Sequence, residues 1–144
     1  MIAPDVNVLV YAFRHAAPEH ERHRAWLQAA MTGDEPLAVS DLVLSGFIRV
    51  STHPRVFDPP APTAQALAFA AALQAQPNVV LIAPGPRHWD IFRRLCLAVE
   101  ARGNLVPDAY LAAMAIENGC EWITTDRDFS RFPGLRWRHP LAAT

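Results

Sequence analysis

Short β-rich apolar runs alternate along this chain with longer Ala- and Leu-rich stretches of helical period, and that alternation confines it to the α/β class. Leu37-Ala38-Val39, Asn78 to Ile82 and Glu121 to Thr124 read as strands, the second of them buried, with Leu135 to Trp137 as one more edge strand. Helices are expected from Pro18 to Gly33, from Leu42 to about Val50 behind a cap at Ser40 or Asp41, and from Thr63 to Gln76. Two more are expected from Trp89 to Ala101, with Gly103 as C-cap, and from Pro107 to Gly119. Strands separated by helices pair in parallel and need cover on both faces, so a mainly parallel central sheet follows. The segment Val6-Asn7-Val8-Leu9-Val10-Tyr11 reads equally as a strand continued from Met1 to Pro4 or as a buried helix.

At 144 residues, 51% hydrophobic and 19% charged, the chain suits one domain spanning residues 1–144 that needs no staple. Cys96 and Cys120 stand in apolar stretches without metal-ligand spacing, which argues against a disulfide framework or a structural zinc site. All 13 basic residues are arginines. Without lysine, P-loop NTPase and Schiff-base chemistry are excluded. A net charge of −1 speaks against a DNA-binding module, although local arginines can still hold a short nucleic acid. No apolar run is long enough for a membrane span, and Met1 to Asp5 lacks the features of a signal peptide, so the expectation is a soluble cytoplasmic protein.

In a parallel α/β sheet, ligands gather beyond the carboxyl ends of the strands. Asp5 follows the first short strand, Asp126 and Asp128 follow Trp122-Ile123-Thr124, and Asp108 lies in the first turn of a helix, so three segments can converge there. Asp5 carries the most information, because an acid inside the apolar run from Ile2 to Val10 is costly to bury unless paired or metal-bound. Asp126 and Asp128, two apart on a segment read as extended, point the same way and can share an ion. Hard carboxylate donors suit Mg²⁺ or Mn²⁺ and imply metal-assisted phosphodiester hydrolysis. The competing readings are helix capping for Asp108 and turn chemistry for Asp126 and Asp128.

These residues resemble the motifs of the PIN domain, and within it the VapC-type ribonuclease toxins of bacterial toxin–antitoxin systems. Pro4-Asp5-Val6-Asn7 resembles the first motif, Pro107-Asp108-Ala109-Tyr110 the third-acid motif, and Thr124-Thr125-Asp126-Arg127-Asp128-Phe129 the closing one. The resemblance covers almost the whole chain. It implies a PIN-like (RNase H-like) three-layer α/β/α fold and a Mg²⁺-dependent endoribonuclease acting on RNA, homodimeric and silenced by a VapB-like antitoxin. Carried over by position, Asp5, Asp108 and Asp126 are the metal ligands and catalytic acids, with Asp128 as an outer or second-metal group. Asn7 and Thr124 match polar supporting positions.

One position departs from the family pattern: Gly46, in Ser40 to Val50, stands where most members carry a glutamate. Asp41 is the nearest acid, but five residues of helix separate it from Gly46 by about 7.5 Å of rise, so it substitutes only if it faces the cluster from the strand end. Helix capping is its simpler role.

Arg49, Arg55, Arg127 and Arg131 are candidate phosphate contacts around an acidic pocket, against the plain reading of solvated surface arginines. His20 and His23 have a spacing able to bind metal, yet the flanking Glu19, Glu21, Arg22 and Arg24 suggest an exposed face. The four tryptophans read as core or interface anchors, and Leu42, Phe47 and the Ala-rich helix as an exposed apolar face for a partner. A haloacid-dehalogenase-like phosphatase fits poorly, because Asn7 replaces its second Asp and no lysine is present. Binding of RNA or antitoxin without cleavage is the competing non-enzymatic reading, resting on Gly46.

Overall fold

The computed structural model describes residues 1–142. Its frame is a parallel sheet of β1 (Ile2–Pro4), β2 (Leu37–Val39), β3 (Val79–Leu81), β4 (Glu121–Ile123) and β5 (Trp137–Arg138), in the order β3-β2-β1-β4-β5. β1 is central, with Ile2 opposite Leu37 on one side and Pro4 opposite Ile123 on the other. All of β1 and β2 is buried, as strands covered on both faces must be.

Six helices supply that cover: α1 (Val6–Phe13), α2 (His20–Thr32), α3 (Asp41–Ser51), α4 (Thr63–Gln74), α5 (His88–Val99) and α6 (Leu105–Glu117). The chain steps from β1 to β2 to β3 through α1 to α4, then returns across the sheet to β4 through α5 and α6. Right-handed crossovers in opposite directions put the two helix groups on opposite faces. Within the groups, α1 packs on α2 and α3, α3 on α4, and α5 on α6. The direction of the chain also reverses at β1, which makes the space beyond the ends of β1 and β4 the switch point where an α/β sheet opens a crevice.

The segment left open between strand and helix is α1. Asp5 keeps an extended backbone as N-cap, and four of the eight α1 residues, Val8, Leu9, Val10 and Ala12, are buried. At the start of α3, Ser40 is the cap, its Oγ accepting from the Val43 N–H at 3.1 Å, and Asp41 is the first helical residue.

Several expectations are corrected. β3 is an edge strand rather than a buried one, with Leu81 61% exposed, because nothing pairs with its outer side among the described residues. The α5 helix ends at Val99 with Glu100 in the left-handed region (φ 50°), not at Gly103. Phe47 is fully buried, edge-on to Phe13 and against Phe69, so the large apolar residues left exposed on α3 and α4 are Leu42 and Leu67, beside exposed alanines of α4. Trp122 is core, whereas Trp89 is exposed. His20 and His23 are buried, not surface residues: α2 turns them under the end of α1, where His20 Nδ1 meets the Tyr11 carbonyl at 2.8 Å.

Candidate active site

The site grows out of the central strand. β1 ends at Asp5, whose backbone N–H still donates to the Ile123 carbonyl at 2.8 Å, so the ladder to β4 fixes the residue before α1 begins. The residue is 6% exposed, and its carboxylate uses both oxygens: Oδ1 accepts from the Val6 N–H at 2.7 Å, and Oδ2 accepts from Thr124 Oγ1 at 2.7 Å. Burial raises the Asp5 pKa above the ordinary 3.8, and these two hydrogen bonds oppose the rise.

Thr124 continues the arrangement. It is fully buried at the end of β4, and while its hydroxyl donates to Asp5 it accepts from the Asp126 N–H at 3.0 Å. Asp126 in turn caps a 3₁₀ turn over Arg127–Arg131, its Oδ1 accepting from the Asp128 N–H at 2.9 Å. Asp126 and Asp128 therefore sit on a tight turn, not on the extended segment that their spacing suggested.

Asp108 enters from α6, one residue after Pro107 in the first turn. Its pKa is pushed up to about 6, first by burial and then by the negative charges of Asp126, Asp5 and Asp128. Acids from two other segments therefore stand near enough to act on Asp108. Among the described residues none of the ion pairs reaches them. Among the described residues, no three of these acids bring their ligand oxygens within 4.8 Å of one another. Such a cluster of hard oxygen donors is chemically a cation site.

The remaining candidates separate. Asn7 lies in the first turn of α1, half-buried. Arg49 lines a groove of about 290 Å³ together with Val6, Gly46, Pro107 and Tyr110, next in sequence to both Asp5 and Asp108. Asp41 points elsewhere: it is exposed, lines a groove between α3 and α4 with Ser45 and Leu67, and is not among the charges acting on Asp108. Arg55 is exposed in the turn after α3, its N–H donating to His53 Nδ1 at 3.0 Å.

Gly46 faces Val6. A Cβ at this position would stand 2.9 Å from Val6 Cγ2, so the volume beside Asp5 that a longer residue would enter holds a valine methyl instead. Pattern reading missed the apolar members of this groove, Val6 and Tyr110, because nothing in their spacing distinguishes them from core.

Comparison with known proteins decides the family. The PIN domain family model matches residues 2–135. The chain belongs to the PIN domain family. Among relatives, Ribonuclease VapC43 of Mycobacterium tuberculosis is 49% identical over 141 residues, 98% of this chain and 96% of that protein. Ribonuclease VapC25 of the same organism is 42% identical over 140 residues, 97% of this chain and 99% of that one. In fold, this PIN domain is similar to a chain in the solved structure of VapBC2 from Rickettsia felis bound to a DNA fragment from its promoter. The TM-score is 0.71 at 20% identity, covering 96% of this chain and 98% of that one.

Proposed function

We propose that this PIN domain is a VapC-type endoribonuclease, the toxin of a type II toxin–antitoxin pair, hydrolysing RNA phosphodiester bonds with Asp5, Asp108 and Asp126 as its metal-binding catalytic acids. The observation that carries the reading is the convergence of these carboxylates at the switch point, with Asp108 raised to about 6 by burial and then by its acidic neighbours. The names of the relatives, ribonucleases at 49% and 42% identity, agree with it.

The donor set fits Mg²⁺, or Mn²⁺ in its place: carboxylate oxygens, no imidazole or thiolate, and a charge excess that a divalent cation would relieve. When bound, such an ion lowers the pKa of water and offsets charge on the phosphate oxygens. The chain's own residues do the positioning. Thr124 holds Asp5 Oδ2 and the Asp126 N–H in one hydrogen-bond chain, which fixes the first and last acids relative to each other. Asp128, exposed at the end of that chain, would serve as an outer group or as a ligand of a second ion. Asn7 supports the same pocket. Arg49 on the groove and, further out, Arg55 supply the cations that bring an RNA phosphate up to an otherwise repulsive pocket.

The rest of the reading concerns partners. A VapB-like antitoxin and a second copy of the chain are the expected protein partners, with Leu42 and Leu67 as exposed apolar anchors. A cytoplasmic location is the expected one, where a VapB-like antitoxin would meet it. Among the described residues, no helix is long and apolar enough to cross a membrane.

The apolar corner made by Gly46 and Val6 favours one competing reading, in which the domain binds RNA or antitoxin without cleaving. The test is cleavage of total RNA and growth arrest on expression, for wild type, Asp5→Asn and Asp108→Asn. Loss of both activities in folded variants supports the nuclease. Undiminished cleavage in either variant refutes the site, and an inert wild type that still binds RNA moves the competing reading to first place.

A further inference from the structure

A second cluster of metal-ligating side chains lies outside the acidic site, where the loop after α1 enters α2. His20, the first residue of α2, is 7% exposed, and its ring is held from one side: Nδ1 lies 2.8 Å from the Tyr11 carbonyl oxygen. A carbonyl only accepts, so Nδ1 carries the hydrogen, and in the neutral ring Nε2 presents its lone pair. Among the described residues that buried Nε2 has no hydrogen-bond partner. It faces a carboxylate instead, Glu21 Oε1, at 3.7 Å.

A lone pair against a carboxylate oxygen at that separation is repulsive, and the distance is too long for a hydrogen bond. A cation relieves that contact, either a proton on Nε2 or a metal ion held by both groups. His15 completes it from the loop, its ring centroid 4.6 Å from that of His20. The ligand atoms of His15, His20 and Glu21 all lie within 4.8 Å of one another. Two ligands on one tetrahedral Zn²⁺ stand about 3.4 Å apart, from Zn–N and Zn–O bonds near 2.1 Å. His15 and Glu21 are exposed, Glu21 keeping only a 3.8 Å surface contact from Oε2 to Arg24, so both can close that gap, while His20 is fixed.

We propose that His15, His20 and Glu21 form a Zn²⁺ site, with His20 as its buried, pre-oriented ligand and a fourth position left to water. The Nδ1–H to carbonyl contact is the arrangement that orients metal-bound histidines and sets the tautomer. Imidazole with one carboxylate selects Zn²⁺ over Mg²⁺, so this site and the acidic one draw on different ions. Sequence spacing pairs His20 with His23, but the turn of the chain supplies His15, and His23 Nδ1 is directed to the Glu19 carbonyl at 3.0 Å. The ion would tie the loop between α1 and α2 to the start of α2, which His20 already joins to the Tyr11 carbonyl of α1. Asp5 is the N-cap of α1, so the tie also bears on how firmly that helix is held.

The test uses the untagged full chain stripped of metal, with Zn²⁺ titrated against a chromophoric chelator in excess Mg²⁺, which occupies the carboxylates. One Zn²⁺ per chain is expected, retained in Asp108→Asn and weakened by more than about tenfold in His15→Ala and in Glu21→Gln. Both substitutions are at exposed positions and leave the core intact. Zn²⁺ at about 100 times its Kd should also raise the unfolding midpoint of wild type by roughly 5 °C or more, and that of His15→Ala much less. No bound Zn²⁺, equal affinity in wild type and both variants, or loss of binding in Asp108→Asn alone would overturn the site.

Discussion

Replacing Asp108 by asparagine should stabilise the metal-free protein at neutral pH, because the native fold holds this carboxylate in a place that penalises its charge. The rise in its pKa from 3.8 to about 6 corresponds to about 3 kcal/mol against the ionised native state. Asp108 is only half-buried, so solvent screening trims the effect to about 1–2 kcal/mol. The sign follows from proton linkage. Between pH 6 and 3.8 the native state binds the proton that the unfolded chain releases, so the penalty is full above about pH 6 and gone below 3.8. The assay is thermal unfolding with chelator at low salt, at pH 7.5 and near pH 4. Asp108→Asn should melt roughly 3–8 °C above wild type at the higher pH and level with it at the lower. Added Mn²⁺ should reverse the order at neutral pH, because only wild type keeps the full ligand set. A variant less stable than wild type at pH 7.5, or a difference independent of pH, would refute the crowding of like charges at this site.

Three further substitutions probe the geometry around it. Thr124→Val keeps the shape but takes a donor from Asp5 and an acceptor from the Asp126 N–H; urea unfolding should show a loss of roughly 1–3 kcal/mol that Thr124→Ser largely restores. Gly46→Ala trades roughly 1 kcal/mol of helix propensity against overlap with Val6, so it should stabilise clearly only in a Val6→Ala background. A double-mutant cycle should give coupling of about 1–2 kcal/mol, and a value below about 0.5 would separate the two residues. Phe47→Ala, which removes a fully buried ring between Phe13 and Phe69, should cost about 3–5 kcal/mol; a change under 1 kcal/mol would return Phe47 to the surface.

What could be read ahead of the structure was whatever local pattern controls. The parallel α/β architecture followed from the alternation of element types, and Asp5 stood out because an acid in an apolar run needs a reason to be there. The identity of α1 did not follow, since an eight-residue apolar segment has no periodicity that separates helix from buried strand; the cap at Asp5 decides it. The exposure of β3 depends on its place at the sheet edge, which is a property of strand order and not of Val79-Val80-Leu81 itself. Asp126 and Asp128 were visible as acids, but the 3₁₀ turn that spaces them arises from the Asp126 side chain capping its own loop. The meeting of His15 with His20 is tertiary, set by how α2 folds back under Tyr11, and the charged residues around His20 and His23 suggested the opposite face.

The central claim is that the acids from β1, α6 and the end of β4 make one metal-dependent nuclease site. The most direct test is isothermal titration of Mg²⁺ and Mn²⁺ into wild type and Asp108→Asn, with cleavage of total RNA followed under the same conditions. Binding and cleavage present in wild type and lost together in the variant are the predicted result. Metal binding without cleavage in wild type, or cleavage that persists in Asp108→Asn, would contradict it.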